Sequence, residues 1–414
     1  MGRGGTFAAI DVGSTKICTV VGDATPDGEF RVLGVGISPA FGLGKGVVEN
    51  VQEATESIRS SVDKAERSSG THISSAYVGI SGSHISSLNN RGIVAVASRQ
   101  HPISDDDVAR AVDAARTVSI PTNREVLHVI PRFYVVDGQE VVRDPTGMYG
   151  QRLDVEAHII TGTVTAMQNL MQCVEGAGVV IDALVLEPLA AADAVLEHEE
   201  RMQGVILADI GGGTTDLAVY VDGTIYHTAV LPVGGYHLTH DLVVGLRAPF
   251  KAAEEAKHRH GHALPSAVDP QETVEIDAFG SDRRREVPRR RIAEILQARV
   301  EEILEMIYME VKRAGYDEMI SAGLVLAGGT ANLRGIDKLA EEVLQMPVRV
   351  GTPRHMHGLV ETISNPAYAT SVGLLRWAIR EQQGSVRTLR PRPSLALAGW
   401  LARFRNLARI LLPE

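Results

Sequence analysis

Two short segments of this chain, Asp11-Val-Gly-Ser-Thr-Lys16 and Asp209-Ile-Gly-Gly-Gly-Thr-Thr-Asp216, are built alike and lie about half the chain apart. Each follows an apolar run (Phe7 to Val12, Gly204 to Ile210) and precedes another. A strand that ends in Asp and turns through glycines predicts a tight connection whose backbone N–H groups converge on an anion such as phosphate. Hydroxyls of Ser14, Thr15, Thr214 and Thr215 add donors, and Lys16 adds positive charge. The aspartates Asp11 and Asp209 are unsuited to touch phosphate, because like charges repel. They suit a Mg²⁺ held through water, since Mg²⁺ keeps several waters. One such loop would be weak evidence, for Gly-rich turns are common. Two copies predict a duplicated fold with a phosphate-bearing ligand clamped between the halves. Neither G-x-x-x-x-G-K-[ST] nor G-x-G-x-x-G occurs, so the phosphate is not gripped in either of those modes.

The rest of the chain supports a large α/β protein. Its 414 residues allow two large domains, and 44% hydrophobic residues can fill real cores, mainly aliphatic ones because aromatics are 4%. The net charge of −10 argues against non-specific nucleic-acid binding by the whole molecule. The two cysteines, Cys18 and Cys173, each sit in an apolar run, which predicts buried thiols rather than a disulfide framework. No apolar stretch reaches the ~18 residues needed to span a bilayer. Strands are expected at Ile17 to Gly22, Ala76 to Ile80, Ala183 to Leu186 and Leu324 to Ala327. Helices are expected over Val47 to Arg67, Ala166 to Ala177, Pro188 to Glu200 and Ile292 to Arg313. Between Ile85 and Ile160 the texture changes to strand-like runs plus one helix, N-capped by Ser104 and opened by Asp105, Asp106 and Asp107, where the helix dipole favours negative charge. This reads as a small α+β module inserted into the first domain. His258, His260 and His262, like His355 and His357, have no acid or Cys to complete a metal site and read as solvated.

Pro232-Val-Gly-Gly235, Ala253-Glu-Glu-Ala-Lys257, Gly328-Gly-Thr-Ala-Asn332 and Glu187-Pro188 follow in an order that resembles the actin superfamily. Gly79 to Ile85, Asp144 to Gly150 and Ala367 to Leu375 resemble the FtsA family of bacterial cell-division proteins, with similarity from about Phe7 to Arg380. The resemblance implies an actin-like, ribonuclease H-like duplicated fold. It divides the chain into subdomain 1A (5–84 and 163–202), an inserted interaction subdomain 1C (85–162), subdomain 2A (203–230 and 317–383), subdomain 2B (231–316), a linker (384–393) and a terminal helix (394–414). It also implies ATP with Mg²⁺ in the cleft. Gly13, Ser14, Thr15, Lys16, Gly211, Gly212, Gly213, Thr214, Thr215, Gly234 and Gly235 would hold phosphates. Glu254 and Lys257 would contact ribose and base, and Gly328, Gly329, Thr330 and Asn332 the nucleoside. Asp11 and Asp209 would lie near the metal, and Glu187 would orient water, with hydrolysis slow at most. The family polymerises and anchors the tubulin-like FtsZ at the cytoplasmic face of the membrane, at the division septum. One departure is His240, where Asn is more usual.

Two basic features complete the reading. Arg290 and Arg291 start the long helix and Arg299 lies two turns on, either as a solvated face or, as the resemblance implies, as a groove for the FtsZ C-terminal peptide. At the end of the chain Leu397, Trp400, Leu401, Phe404, Leu407, Ala408 and Leu411 recur at helical spacing. Arg403 and Arg405 flank that stripe. Six arginines and no acid lie between Val386 and Pro413. An amphipathic basic tail on an acidic body predicts binding to an anionic membrane surface, not a span. Two rivals remain: a sugar kinase, which would need a sugar-binding insertion that is absent, and a pilus-assembly actin-like adaptor, which would lack the tail.

Overall fold

The computed structural model describes residues 5–24, 30–96, 101–279, 284–359 and 361–382. The linker and terminal helix expected at 384–414, and with them Leu397, Trp400, Leu401, Arg403, Phe404, Arg405, Leu407 and Leu411, lie outside the described residues.

Two sheets repeat one topology. In the first, Thr6–Val12, Lys16–Ala24 and Phe30–Pro39 form an antiparallel meander, and Ser75–Ile80 and Val180–Leu186 add in parallel on the free side of the first strand. In the second, Val205–Ile210, Thr215–Val221 and Thr224–Leu231 form the meander, and Gly323–Ala327 and Val348–Val350 add in parallel. Meander strands pair through short turns, whereas the parallel additions need helical crossovers. The duplication expected from the two Asp loops is thus a duplication of whole sheets. Central strands such as Thr215–Val221 are buried at every position, which is why they read as continuous apolar runs.

The inserted module is a sheet of Ile85–Ala95, Arg152–Thr163, Arg124–Val136 and Glu140–Val142, covered by the helix Asp105–Arg116. That helix starts at Ser104 with a reciprocal capping box to Asp107, as its sequence predicts. Its core, including Ile103, Val155 and Ile159, is separate from those of the two halves.

Several elements differ from their sequence reading. The first helix is Val51–Ser69, not from Val47, because the Asn50 side chain caps it by accepting from the Gln52 and Glu53 N–H groups. The run Pro188 to Glu200 is two helices, Glu187–Val195 and His198–Gln203, broken where Leu196 turns extended. The helix Phe250–His260 takes in His258 and His260. The long helix Arg289–Arg313 buries Ile292, Leu296, Val300, Ile303, Leu304, Ile307 and Val311, and each large aliphatic buried this way contributes roughly 1.5–3 kcal/mol.

Two helices reach the gap between the sheets with residues of their first turns, Glu187–Val195 through Glu187 and Ala369–Gln382 through Thr370. They pack so closely that a Cβ on Gly373 would lie 1.7 Å from the Ala190 carbonyl oxygen. Only glycine at 373 lets the backbones meet, and this places Thr370 and Ser371 on one side of the gap and Glu187 on another.

Candidate functional site

The two Asp loops face one another. A Cβ on Gly212 would lie 2.3 Å from Thr15 Cγ2, and one on Gly213 would lie 2.9 Å from Ser14 Oγ. The third wall is the Gly234–Gly235 turn, where Gly235 N–H donates to Gly211 O at 2.9 Å and Tyr236 N–H to Gly212 O at 2.8 Å. The fourth is the turn after Gly323–Ala327, where Thr330 Oγ1 donates to Gly211 O at 3.2 Å. Together they enclose a cavity of about 280 Å³.

Most of the residues expected at the site line this cavity: Asp11, Gly13, Ser14, Thr15, Lys16, Glu187, Asp209, Gly211, Gly212, Thr214, Gly235, Glu254, Lys257, Gly328, Gly329, Thr330 and Asn332. Three others stand just behind it. Thr215 is fully buried and donates to Val233 O at 2.8 Å. Gly213 packs on Ser14 and Lys45, and Gly234 on Gly211 and Gly212. His240 is exposed and outside the lining.

The cavity floor is strongly acidic. Asp11 Oδ2 accepts from Ser371 Oγ at 2.7 Å and Asp209 Oδ2 from Thr370 Oγ1 at 2.8 Å. Asp216 accepts from Ser81 Oγ and, at 3.0 Å, from Thr214 Oγ1. Asp216 belongs here because it is the register partner of Asp209, whereas the register partner of Asp11 is Cys18. Like charges directly opposite on a sheet repel. Glu187 opens its helix, where the dipole favours a carboxylate.

Burial is the main cause of the shifted acidity of these groups. It pushes Asp209 up to about 6 against the Thr370 hydrogen bond, and Asp216 up to about 7 against the Ser81 hydrogen bond. Asp11 is also raised by burial, with Lys16 opposing. Glu187 is raised well above its ordinary value by burial and then by the charges of Asp11, Asp216 and Asp209. The Lys16 ammonium donates to Ala367 O at 2.6 Å and lies over the Tyr368 ring. A single lysine faces four carboxyls, Asp11, Asp209, Asp216 and Glu187, beside loops shaped for an anion. A small divalent cation reconciles the two. Among the described residues no three His, Cys, Asp or Glu side chains are arranged to ligate a metal directly, so the donor set suits a hydrated ion.

The opposite wall carries Glu254 and Lys257 on the helix Phe250–His260. Lys257 Nζ donates to Thr239 Oγ1 at 2.7 Å and Gly235 O at 3.1 Å, and pairs with Glu254 at 2.8 Å. Burial pushes the Glu254 carboxyl up, but hydrogen bonds from His258, Lys257 and Thr239 outweigh it and hold the group at about 2. His258, exposed as its solvated reading expects, also reaches Glu254 at 2.9 Å. Sequence reasoning did not single out Ser81, Asp216, Gly46, Tyr236 or Thr370, which also line the cavity. For Asp216 the signal was present, since hairpin register pairs it with Asp209.

The arginines of the long helix are all ion-paired. Arg299 forks onto Asp241 at 2.5 and 3.0 Å and also reaches Glu302 at 2.5 Å. Arg291 pairs with Glu294 at 3.2 Å, and Arg290 lies 3.9 Å from the same carboxylate. Arg291 and Arg299 edge an open groove lined also by Asp241, Glu294, Ile295, Ala298 and Glu302, whereas Arg290 is not in its lining.

Comparison with known proteins gives a consistent result. The family described as "Cell division protein FtsA" matches residues 206–373, and that described as "SHS2 domain inserted in FTSA" matches residues 82–161. The cell division protein FtsA of Pseudomonas aeruginosa is 42% identical over 379 residues, covering 92% of this chain and 90% of that protein. That of Escherichia coli K12 is 33% identical over 407 residues, covering 97% and 96%. Among solved structures, the PilM-PilN type IV pilus biogenesis complex superposes with a TM-score of 0.65 at 16% identity, over 90% of this chain and 98% of that one. MreB 5 of Spiroplasma citri bound to AMPPNP superposes with a TM-score of 0.56 at 15% identity, over 93% and 99%. At these identities the structural likeness establishes an actin-like fold and nothing further.

Proposed function

The chain belongs to the FtsA family of cell division proteins, and from that premise we propose that it binds ATP with Mg²⁺ between its halves, polymerises, and anchors FtsZ filaments to the cytoplasmic membrane at the division septum. The observation that carries the reading is the cavity floor, where four carboxyls and one lysine sit beside two facing glycine loops. Gly13 to Lys16, Gly211 to Thr214 and Gly235 would hold the phosphates. Glu254 and Lys257 would hold ribose and base, and Gly328 to Thr330 with Asn332 the nucleoside. Asp11 and Asp209 would hold the hydrated cation. When bound, Mg²⁺ with ATP supplies the positive charge that the carboxyls lack and the anion that the loops are shaped for.

The protein's own groups then act by position. Ser371 and Thr370 fix Asp11 and Asp209 by hydrogen bonds. Glu187 is the water-orienting group, and Asp216, raised to about 7, is poised to take a proton near neutral pH. Both are constrained by crowding of like charge, which fits slow hydrolysis at most. The ATP is chiefly a clamp: it touches both halves at once, so it favours the closed arrangement by its differential affinity.

In this reading the inserted module serves other division proteins. The groove edged by Arg291 and Arg299, with Arg290 next to Arg291 in the chain, takes the FtsZ C-terminal peptide, whose acids would displace Asp241 and Glu302 from Arg299. The basic amphipathic tail holds the chain to anionic lipid as a peripheral protein. Among the described residues no helix is long and apolar enough to cross a membrane. A pilus-assembly adaptor shares the fold but has no use for such a tail. The test is a pelleting assay of full-length protein with ATP, anionic liposomes and FtsZ, each varied in turn. FtsZ is expected to sediment with liposomes only when this protein is present, and not with the Trp400→Glu/Phe404→Glu variant. Equal recruitment by that variant would refute the membrane role.

A further inference from the structure

The inserted module touches both halves of the molecule, and the two contacts differ in kind. Its attachment to the first half is apolar: Leu127 and Ile160 lie within a core built mainly from the first half, which also takes in Tyr220 and Ile225 of the second. His128 reinforces it, its Nε2 accepting from Leu186 N–H at 3.0 Å. Its hydrogen bonds to the second half fall largely on one strand, Thr224–Leu231. Ser87 Oγ donates to Thr228 O at 2.8 Å. Asn89 Nδ2 points at Tyr226 O, 3.4 Å, and at Tyr316 OH, 3.2 Å. His158 bridges the two sides, with Nδ1 2.7 Å from Asn89 Oδ1 and Nε2 2.9 Å from Thr228 Oγ1. The Arg132 guanidinium lies 3.8 Å from the Tyr226 ring centroid, and its Nε is buried without a hydrogen-bond partner.

The contacts fit one consistent set of hydrogen-bond roles. Burial, then the charges of His227, Arg132 and His128, lower His158 to about 3, so the ring is neutral and has one donor and one acceptor. Asn89 turns its amide N–H groups toward the second half, so its oxygen accepts from His158 Nδ1–H. His158 Nε2 must then accept from the Thr228 hydroxyl. Every link has one correct direction, and a slide of either side breaks several at once.

The strand that receives these bonds leads straight into the cavity. Leu231 is the register partner of Thr215. Two residues on, Val233 O accepts from Thr215 Oγ1 at 2.8 Å, and Gly235 N–H then donates to Gly211 O.

We propose that this polar contact is a latch across the back of the cleft, which couples occupancy of the cavity to the placement of the inserted module. The module moves with the first half and the strand Thr224–Leu231 with the second, so opening the cleft must shear the His158–Thr228 contact. Polar contacts between bodies of one chain are the kind that open and close, unlike the apolar attachment to the first half. The unmet Arg132 Nε lowers the cost of release further, because it gains water on opening. A ligand that favours the closed cleft therefore tightens the latch, and a partner that moves the module loosens the ligand by the same factor.

The inference rests on the nucleotide reading, and hydrogen–deuterium exchange of the full chain, with and without ATP and Mg²⁺, separates the two. In the wild type, ligand is expected to slow exchange at residues 11–16 and 209–216, and also at 85–95 in the module. In Thr228→Val, a near-isosteric change that leaves His158 Nε2 without its donor, protection at the two loops persists and that at 85–95 falls by more than half. Asn89→Ala, at an exposed position, is expected to do the same and guards against a folding artefact. Protection at the loops with none at 85–95 in the wild type, or an undiminished response in both variants, overturns the latch alone. No protection at the loops in the wild type overturns the nucleotide reading and the latch with it.

Discussion

Replacing Asp216 by Asn removes a buried charge while keeping its shape and its partners. The amide oxygen can accept from Ser81 Oγ as the carboxylate does, and the NH₂ can donate to Thr214 Oγ1. The wild-type carboxyl is raised from 3.8 to about 7, by burial first and then by Asp209 and Asp11, against the hydrogen bonds of Ser81 and Thr214. An acid whose folded pKa exceeds its unfolded value holds its proton more tightly in the native state. Its stabilising contribution is therefore complete below pH ~4 and is lost as pH rises to about 7. At ~1.4 kcal/mol per tenfold change, ionising this group in the fold costs about 4 kcal/mol by pH 8 and about 2 kcal/mol at pH 5. Asn carries no such cost. The ligand-free variant should gain about 2 kcal/mol more over wild type at pH 8 than at pH 5, a difference of about 4–8 °C in Tm for a cooperative unit of this size. Thermal melts of both proteins at the two pH values measure it. A shift of equal size at both, or destabilisation at both, would refute the claim that uncompensated negative charge strains the cavity floor.

Three further outcomes follow from the same geometry. Gly212→Val sets its side chain against Thr15 Cγ2, where overpacking costs about 1–3 kcal/mol; calorimetry should show ATP affinity falling about tenfold or more, and an unchanged Kd would count against the facing-loop clamp. Glu187→Gln should leave ATP binding intact and lower phosphate release by about a hundredfold; undiminished turnover would remove Glu187 as the water-orienting group. Arg299→Glu should abolish binding of an FtsZ C-terminal peptide in fluorescence anisotropy. Pairing it with Asp241→Arg should restore stability but not peptide binding, whereas restored binding would show that only the ion pair matters.

The duplication was legible because each half advertises itself locally: an apolar strand, an Asp, then glycines whose turn has a physical reason. The inserted module was legible from its change of texture and the cap at Ser104. What escaped notice depends on pairing across distance. Asp216 stands at the end of a recognised loop, yet its place on the cavity floor follows only from its register with Asp209. Ser81 closes that floor from a different sheet. The long-helix arginines read as free charge, and spacing of three or four residues could have paired Arg291 with Glu294 and Arg299 with Glu302. The fork onto Asp241 comes from another helix, 58 residues away in the chain, and has no local signature. The break at Leu196 likewise goes unannounced: no glycine or proline marks it, and the backbone turns so that Glu197 can cap the next helix.

The proposed function depends on the cavity. Its most direct test is calorimetric titration of the ligand-free, full-length protein with ATP, with and without Mg²⁺, beside the Asp209→Asn variant. The charge pattern predicts saturable binding of one ATP per chain that strengthens about tenfold or more with Mg²⁺, and loss of that Mg²⁺ dependence in the variant. Absence of saturable binding, or equal affinity with and without Mg²⁺ in the wild type, would contradict it.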